Sequence, residues 1–389
     1  MGGFENTSFK SDKSGFMKLE NVGRIILESL RIFSRGVRVR LKGVKRYPGD
    51  ADKICRQIIL DCYNKEKNYF MVSSGHFCEF YCRDFGWCTQ ALLSLGYREK
   101  VISTLDYALR TFKSHGKIEQ SINPAGRPFT FPDKYSPDAL AFLVRSLRLA
   151  NDRKLISRYK KFLKRKKKRY FDIVIDQKTG LVRKDKSFSS MKDYSVRQSS
   201  CYDNAMTGML SKDLSELGLD NPFKKWDFEK LLVKNFWNGE YFLDDLSGYK
   251  IVCGDANVLP FWSGIINDRA MLKRAINSMR KEGLDQPFPL KYTRKRFREQ
   301  KQIAKEFFAG DYERDSIWAH VGFMYIKVVA EIDKKLAKKY LDEYKHQIEL
   351  HNNFLEVYGK DGKPFKTIWF YADESMLWCA NYLYLKNLI

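Results

Sequence analysis

The sequence has no run approaching the roughly 18 uncharged apolar residues that a membrane-crossing helix requires. Among its eight cysteines there is no Cys-x-x-Cys pair. The five histidines are scattered, and His346 and His351 miss the i, i+4 spacing of a helical metal site. No metal and no cofactor are therefore expected. Met1 to Gly15 is polar and rich in Gly and Ser, without the apolar stretch of a secretory signal. The thiols lie dispersed in apolar segments, as in a reduced, cytoplasmic chain.

What is present is enough apolar character for a large core: 44% of the 389 residues are hydrophobic. That suits one big domain or two ordinary ones and excludes a disordered chain. The formal charge of +24 suits a polyanion such as nucleic acid, acidic lipid or acidic glycan. The basic residues are spread widely, however, with dense runs only at Arg158 to Arg169 and Lys291 to Lys305. The first run keeps Tyr159, Phe162, Leu163, Tyr170 and Phe171 to one side, the pattern of an outer helix with a solvated face.

Residues 1 to 50 read as a basic extension with one helix, Asn21 to Phe33, followed by an alternating Arg35 to Arg46 stretch that suits a strand or an extended arm. Residues 51 to 389 read as one helical domain. The periodicity predicts helices at 52–65, 86–95, 98–114, 137–150, 152–170, 203–218, 225–236, 258–266, 268–282, 316–331, 333–350 and 373–386. They fall into pairs, an apolar member beside one carrying most of the Lys and Arg, which is the composition of a two-layer assembly.

The loops entering the apolar helices repeat a theme of acids and aromatics. They are Arg83-Asp84-Phe85-Gly86-Trp87, Tyr135-Ser136-Pro137-Asp138, Cys201-Tyr202-Asp203-Asn204, Gly254-Asp255-Ala256-Asn257, Arg314-Asp315-Ser316-Ile317-Trp318 and Phe370-Tyr371-Ala372-Asp373-Glu374. Their acids recur about every 50 to 65 residues, the period of a repeated helical hairpin. Six hairpins closed in a ring place all six entry loops at one end, around a common pocket. Taken singly, Asp203 reads as an ordinary helix cap, and Asp373 and Glu374 as caps of the last helix. Aromatic rings beside carboxylates are what a pyranose needs, since it offers apolar C–H faces and a rim of hydroxyls.

These segments resemble the six-hairpin, (α/α)6-barrel glycosidases, most closely the group of trehalases and glucosidase I. Gly75-His76-Phe77-Cys78-Glu79-Phe80-Tyr81-Cys82-Arg83-Asp84-Phe85 is similar to the trehalase pattern G-R-F-x-E-x-Y-x-W-D-S, while its Arg83-Asp84 pair looks like that of glucoamylases and neutral invertases. The resemblance puts Asp84 in the pocket and leaves open whether it binds sugar or is catalytic. Gln198-Ser199-Ser200-Cys201-Tyr202-Asp203-Asn204 is similar to E-S-G-W/M-D-x, whose Asp is the family's general acid, with Gln198 in place of the Glu and one residue more. Asp255 to Trp262 looks like the scaffold stretch S-N-x-x-P-L-W, and Ser316-Ile317-Trp318 resembles G-P-I-W. Phe354-Leu355-Glu356-Val357-Tyr358 resembles the stretch that carries the family's general base, and Glu374 to Trp378 the E-G-F-G-W that opens its final inner helix. The Gly-rich segment of trehalases is replaced by Lys363-Pro364-Phe365-Lys366.

What the resemblance implies is an inverting hydrolase of an α-linked glucoside-type di- or oligosaccharide, with Asp203 as general acid and Glu356 as general base. Arg83, Asp84, Trp87, Arg197, Tyr202, Asp255, Trp318 and Glu374 are the candidate substrate-binding residues. The rival readings are a toroid that binds a glycan without cleaving it, an epimerase or polysaccharide lyase of the same fold, and a nucleic-acid binder. Convergent carboxylates argue against the last, because they repel phosphate.

Overall fold

A computed structural model describes residues 19–131, 134–294, 310–368 and 370–389, with side chains from residue 30 onward. Among these residues there are thirteen helices and seven two-residue strands. The first helix, α1, spans Leu19–Lys42. The Arg35 to Arg46 stretch is thus not a strand or an arm: the helix runs on through it to Lys42. What the alternation reflects is helical sidedness, since Arg35 and Val39, one turn apart, are both buried.

Twelve further helices follow the expected order. They are α2 (Ala51–Asp61), α3 (Cys82–Ser94), α4 (Arg98–Ser114), α5 (Pro137–Ala150), α6 (Arg153–Val174) and α7 (Cys201–Glu216), then α8 (Phe228–Phe236), α9 (Gly254–Trp262), α10 (Arg269–Lys281), α11 (Ala319–Val329), α12 (Lys334–His351) and α13 (Cys379–Leu388). Helices α3, α5, α7, α9, α11 and α13 each pack against the next, and α13 packs back on α3, so the six form a closed ring. The even-numbered helices lie outside it: α4 and α6 on α5, α8 on α7, α10 on α9, and α12 with α2 on α13.

The sorting into layers follows from side chains. Every residue of α5 from Pro137 to Leu147 is buried, as an apolar helix surrounded on all sides must be. In α6 only one stripe is buried, led by Leu155, Tyr159, Phe162, Leu163 and Tyr170, while most of its Lys and Arg stay in solvent. Among the described residues no helix is long and apolar enough to cross a membrane.

Ring closure depends on close helix approach at small residues. A Cβ on Gly86 in α3 would lie 2.6 Å from the Cβ of Phe142 in α5. We expect Gly86→Ala to destabilise the fold by about 1–3 kcal/mol through overpacking, despite the better helix propensity of Ala. A thermal melt that is unchanged or higher would show that the α3–α5 spacing is not fixed here.

Candidate functional site

The inner helices begin at one end of the ring, and their first turns carry the acids: Asp84 on α3, Asp138 on α5, Asp203 on α7 and Asp255 on α9. Asp203 is not the cap of its helix. That role belongs to Ser200, whose Oγ accepts the Asp203 N–H at 3.0 Å and donates to Asp203 Oδ2 at 2.6 Å. Asp203 sits in the first turn, with its Oδ1 buried and without a hydrogen-bond partner among the described residues. A short serine-rich lead-in favours this arrangement, because hydroxyls compete for backbone N–H groups at helix starts.

Glu356 comes from the other side of the ring. It immediately precedes the short strand Val357–Tyr358, which pairs antiparallel with Ile317–Trp318 at the entrance to α11. Its Oε1 accepts the Tyr312 hydroxyl at 2.5 Å and its Oε2 accepts the Asp373 N–H at 2.9 Å. The edge of Tyr312 meets Trp318, with ring centroids 4.6 Å apart. Trp318 in turn meets His320 at 5.2 Å, and His320 stacks flat on Trp87 at 4.1 Å. Trp378 closes this aromatic floor and donates from Nε1 to Asp84 Oδ1 at 3.0 Å.

A polar web joins the two sides. Arg83 donates from Nε to Asp138 Oδ2 at 2.8 Å, the Tyr202 hydroxyl donates to the same oxygen at 2.7 Å, and Arg83 also lies 3.7 Å from Asp193. The N–H groups of Asp193 and Tyr194 donate to Glu313, the neighbour of Tyr312.

The carboxyls divide by what surrounds them. Burial pushes Asp203 up to about 6, against the opposing pull of Arg197 and the Ser200 hydrogen bond. Burial pushes Asp84 up to about 7 despite adjacent Arg83 and the Trp378 hydrogen bond. It pushes Glu356 up to about 8, helped by the charge of Asp373. Asp193 and Glu313 are also raised, mainly by burial. Such groups resist ionisation because the cations near them do not make up for the water they lose.

Asp255 differs. Its Oδ2 accepts from Arg197 at 3.0 Å, and Lys192 Nζ lies 3.3 Å from its Oδ1 and 2.8 Å from Asp244. For Asp244 burial works upward, but Lys192 and Arg197 override it and hold the acid below its ordinary range. Asp244, Cys253 and Asp255 lie close enough to hold a metal ion, yet the ammonium and guanidinium already supply the positive charge there. The geometry therefore makes Arg197 and Asp255 partners in a buried ion-pair cluster under the Asp203 helix start.

Glu374 is likewise engaged. It accepts from Arg38 at 3.2 Å and the Lys45 N–H at 2.7 Å, with Arg35 at 3.4 Å. Neither it nor Asp373 caps the last helix, which starts only at Cys379. Asp373 instead clips the 73–77 loop, accepting from Ser73 Oγ and from the N–H groups of His76 and Phe77. A Cβ on Gly75 would strike this carboxylate, which accounts for the glycine. Burial would raise Asp373, but His76, Arg35 and the Ser73 hydrogen bond hold it low. His76 itself is pushed down to about 4 by burial. At neutral pH Arg35, 3.3 Å away, is thus the balancing cation.

Sequence reading picked out Asp203, Glu356, Asp84, Arg83, Trp87, Tyr202 and Trp318; the structure links the last six through this web, while the side-chain hydrogen bond of Asp203 goes to Ser200. It missed Tyr312, Glu313, Asp193, His320 and Arg35, which stand outside any repeated motif. Only the aromatic and acidic density near Tyr312 offered a hint.

No family model matches the sequence, and no curated protein matches it. Solved structures do match in fold. A rhamnosidase from Klebsiella oxytoca with rhamnose bound aligns with a TM-score of 0.62 at 10% identity, over 88% of this chain and 66% of that one. A GH63 mannosylglycerate hydrolase from Thermus thermophilus in complex with Tris aligns with a TM-score of 0.59 at 12% identity, over 87% of this chain and all of that one. A point variant of a protein described as a glycosidase gives 0.63 at 11% identity, over 93% of this chain and 97% of that one. The helical fold is thus one that glycosidases use.

The raised carboxyl of Glu356 has a consequence for stability. The native state keeps a proton that the unfolded chain releases near its ordinary value, so stability present at low pH is lost as pH rises through about 8. Glu356→Gln can keep both hydrogen bonds, accepting from Asp373 N–H and donating to Tyr312. We expect its urea-unfolding free energy to fall less steeply between pH 5 and 8 than that of the parent, by about 1.4 kcal/mol for each pH unit at most. Parallel curves would show that Glu356 is ionised in the native state.

Proposed function

We propose that the chain is an (α/α)6 toroid acting as an inverting glycoside hydrolase on an α-linked glucoside-type di- or oligosaccharide, residues 51–389 forming the catalytic domain. Asp203 is the general acid and Glu356 the general base. The observation that carries this reading is the pair of carboxyls, on opposite sides of the ring, that burial keeps partly protonated near neutral pH. A glycosidic bond needs one carboxyl that holds a proton and another that can take one from water. In an inverting enzyme the two stand about 6.5–9.5 Å apart, with room for that water between them.

Asp203 suits the acid because its Oδ1, without a hydrogen-bond partner among the described residues, can hold the proton that a leaving oxygen takes. Glu356 suits the base because Tyr312 and the Asp373 N–H fix both its oxygens and stabilise the carboxylate once formed. Trp87, His320, Trp318 and Trp378 offer a floor for the apolar face of a sugar, and Asp84 and Arg83 border it. Arg197 and Asp255 support the site from beneath, and Glu374 secures the loop that bears Asp373.

Activity requires Asp203 protonated and Glu356 ionised, so the pH profile of kcat/KM should be bell-shaped between about 6 and about 8. Exchanging the two roles gives the same bell. Substitution separates them: Asp203→Asn should lose at least about a hundredfold on ordinary glycosides yet retain most hydrolysis of a glycosyl fluoride, whose leaving group needs no proton. Glu356→Gln should lose both. An α-linked substrate released as the β-anomer by NMR supports inversion; release of the α-anomer, or equal loss in Asp203→Asn on both substrates, overturns the assignment.

A further inference from the structure

The described surface carries nine large hydrophobic side chains that are strongly exposed, and they are not scattered evenly. Four lie on α1: Leu30, Phe33, Val37 and Leu41 at 58%, 38%, 38% and 79% exposure. A fifth, Ile368 at 78%, stands on the loop that Arg40 of α1 holds through the carbonyls of Thr367 and Phe370. The two most exposed of all nine, Leu41 and Ile368, therefore belong to one region. Lone exposed apolar residues need no explanation, but a contiguous set does.

The helix geometry sharpens this. At 3.6 residues per turn Leu30, Val37 and Leu41 fall within an arc of roughly 40°, and the stripe is carried by these three. The opposite side of α1 is its attachment to the body of the protein. Arg31 pairs with buried Glu79, and Arg35 reaches Asp373, Glu374 and the carbonyls of Tyr371 and Ala372. Val39 is buried on the same side. Arg38 and Arg40 emerge at the two edges of the apolar stripe, and exposed Lys42 follows at the helix end. The body-facing side thus uses arginine to bind carboxylates, whereas the solvent-facing side is apolar with basic margins.

A helix with an apolar face and flanking Arg and Lys is suited to lie in the plane of a lipid interface, its apolar side chains among acyl chains and its cations among head groups. The net charge of +24 supplies long-range attraction to a negative surface. We propose that α1, together with the Ile368 loop, docks the protein peripherally on an anionic membrane surface. The same loop leads directly to Asp373 and Glu374, so the docked face is connected with the candidate site through Arg35. The proposal does not depend on the glycosidase reading, because binding is measured without turnover.

The test is co-sedimentation of the full chain with phosphatidylcholine vesicles doped with phosphatidylglycerol, set against pure phosphatidylcholine vesicles. We expect binding to the doped vesicles that weakens with salt, and a loss of about tenfold or more in affinity for Leu41→Glu/Ile368→Glu. Both positions are in solvent, so the far-ultraviolet circular dichroism should stay unchanged. As a second reading, Leu41→Trp should gain tryptophan quenching from brominated acyl chains relative to the parent. Failure of the parent to bind, equal binding by the double variant, or no added quenching at position 41 overturns the proposal. So does a concentration-dependent dimer that the double variant abolishes without any vesicle binding, which assigns the patch to a second copy.

Discussion

Placing carboxyl groups in the first turns of a closed ring of helices removes them from water, and the rest of the site is a response to that cost. A buried carboxylate must find a cation, collect hydrogen bonds or keep its proton. All three solutions occur at the same end of this ring. Asp255 and Asp244 have Lys192 and Arg197; Asp138 has Arg83, Tyr202 and Ser136; Asp373 has Arg35, Ser73 and two backbone N–H groups. Asp84, Asp203 and Glu356 lack enough compensation and hold their protons to about 7, 6 and 8.

This division gives a physical basis for separating scaffold from chemistry. A carboxylate locked in an ion pair is expensive to disturb and poorly able to exchange a proton. One that sits near neutrality exchanges it readily, which is what proton transfer to or from a substrate requires. The ion-paired acids nevertheless matter to their neighbours. Arg197 is shared between the Asp255 cluster and the field at Asp203, and Asp373 both orders Glu356 through its N–H and raises it through its charge.

The N-terminal helix belongs to the same system. Its arginines neutralise acids of the final entry loop, so a segment without chemistry of its own completes the charge balance around Glu356. That coupling runs through the two hydrogen bonds between Glu356 and the Asp373 backbone and through the Asp373 carboxylate, a path short enough for changes at α1 to be felt at Glu356.

Sequence alone determined the number, order and pairing of the twelve helices from Ala51 onward, because apolar periodicity and turn residues are local signals that layer packing then reinforces. It also singled out Asp84, Asp203 and Trp318, which stand at helix entrances that recur along the chain, and Glu356, which came from the family resemblance rather than from the repeat. It misjudged what is set by hydrogen-bond competition, as with Ser200 taking the cap from Asp203. It also broke α1 too early, where arginines buried against distant carboxylates resembled a polar arm. Which acids would be neutralised and which left to hold a proton was decided only by the tertiary structure. Lys192, Arg35, Tyr312 and the Asp373 N–H lie far in sequence from the groups they control, and a carboxyl's proton affinity depends on the charges and solvent around it in space rather than on its neighbours in the chain.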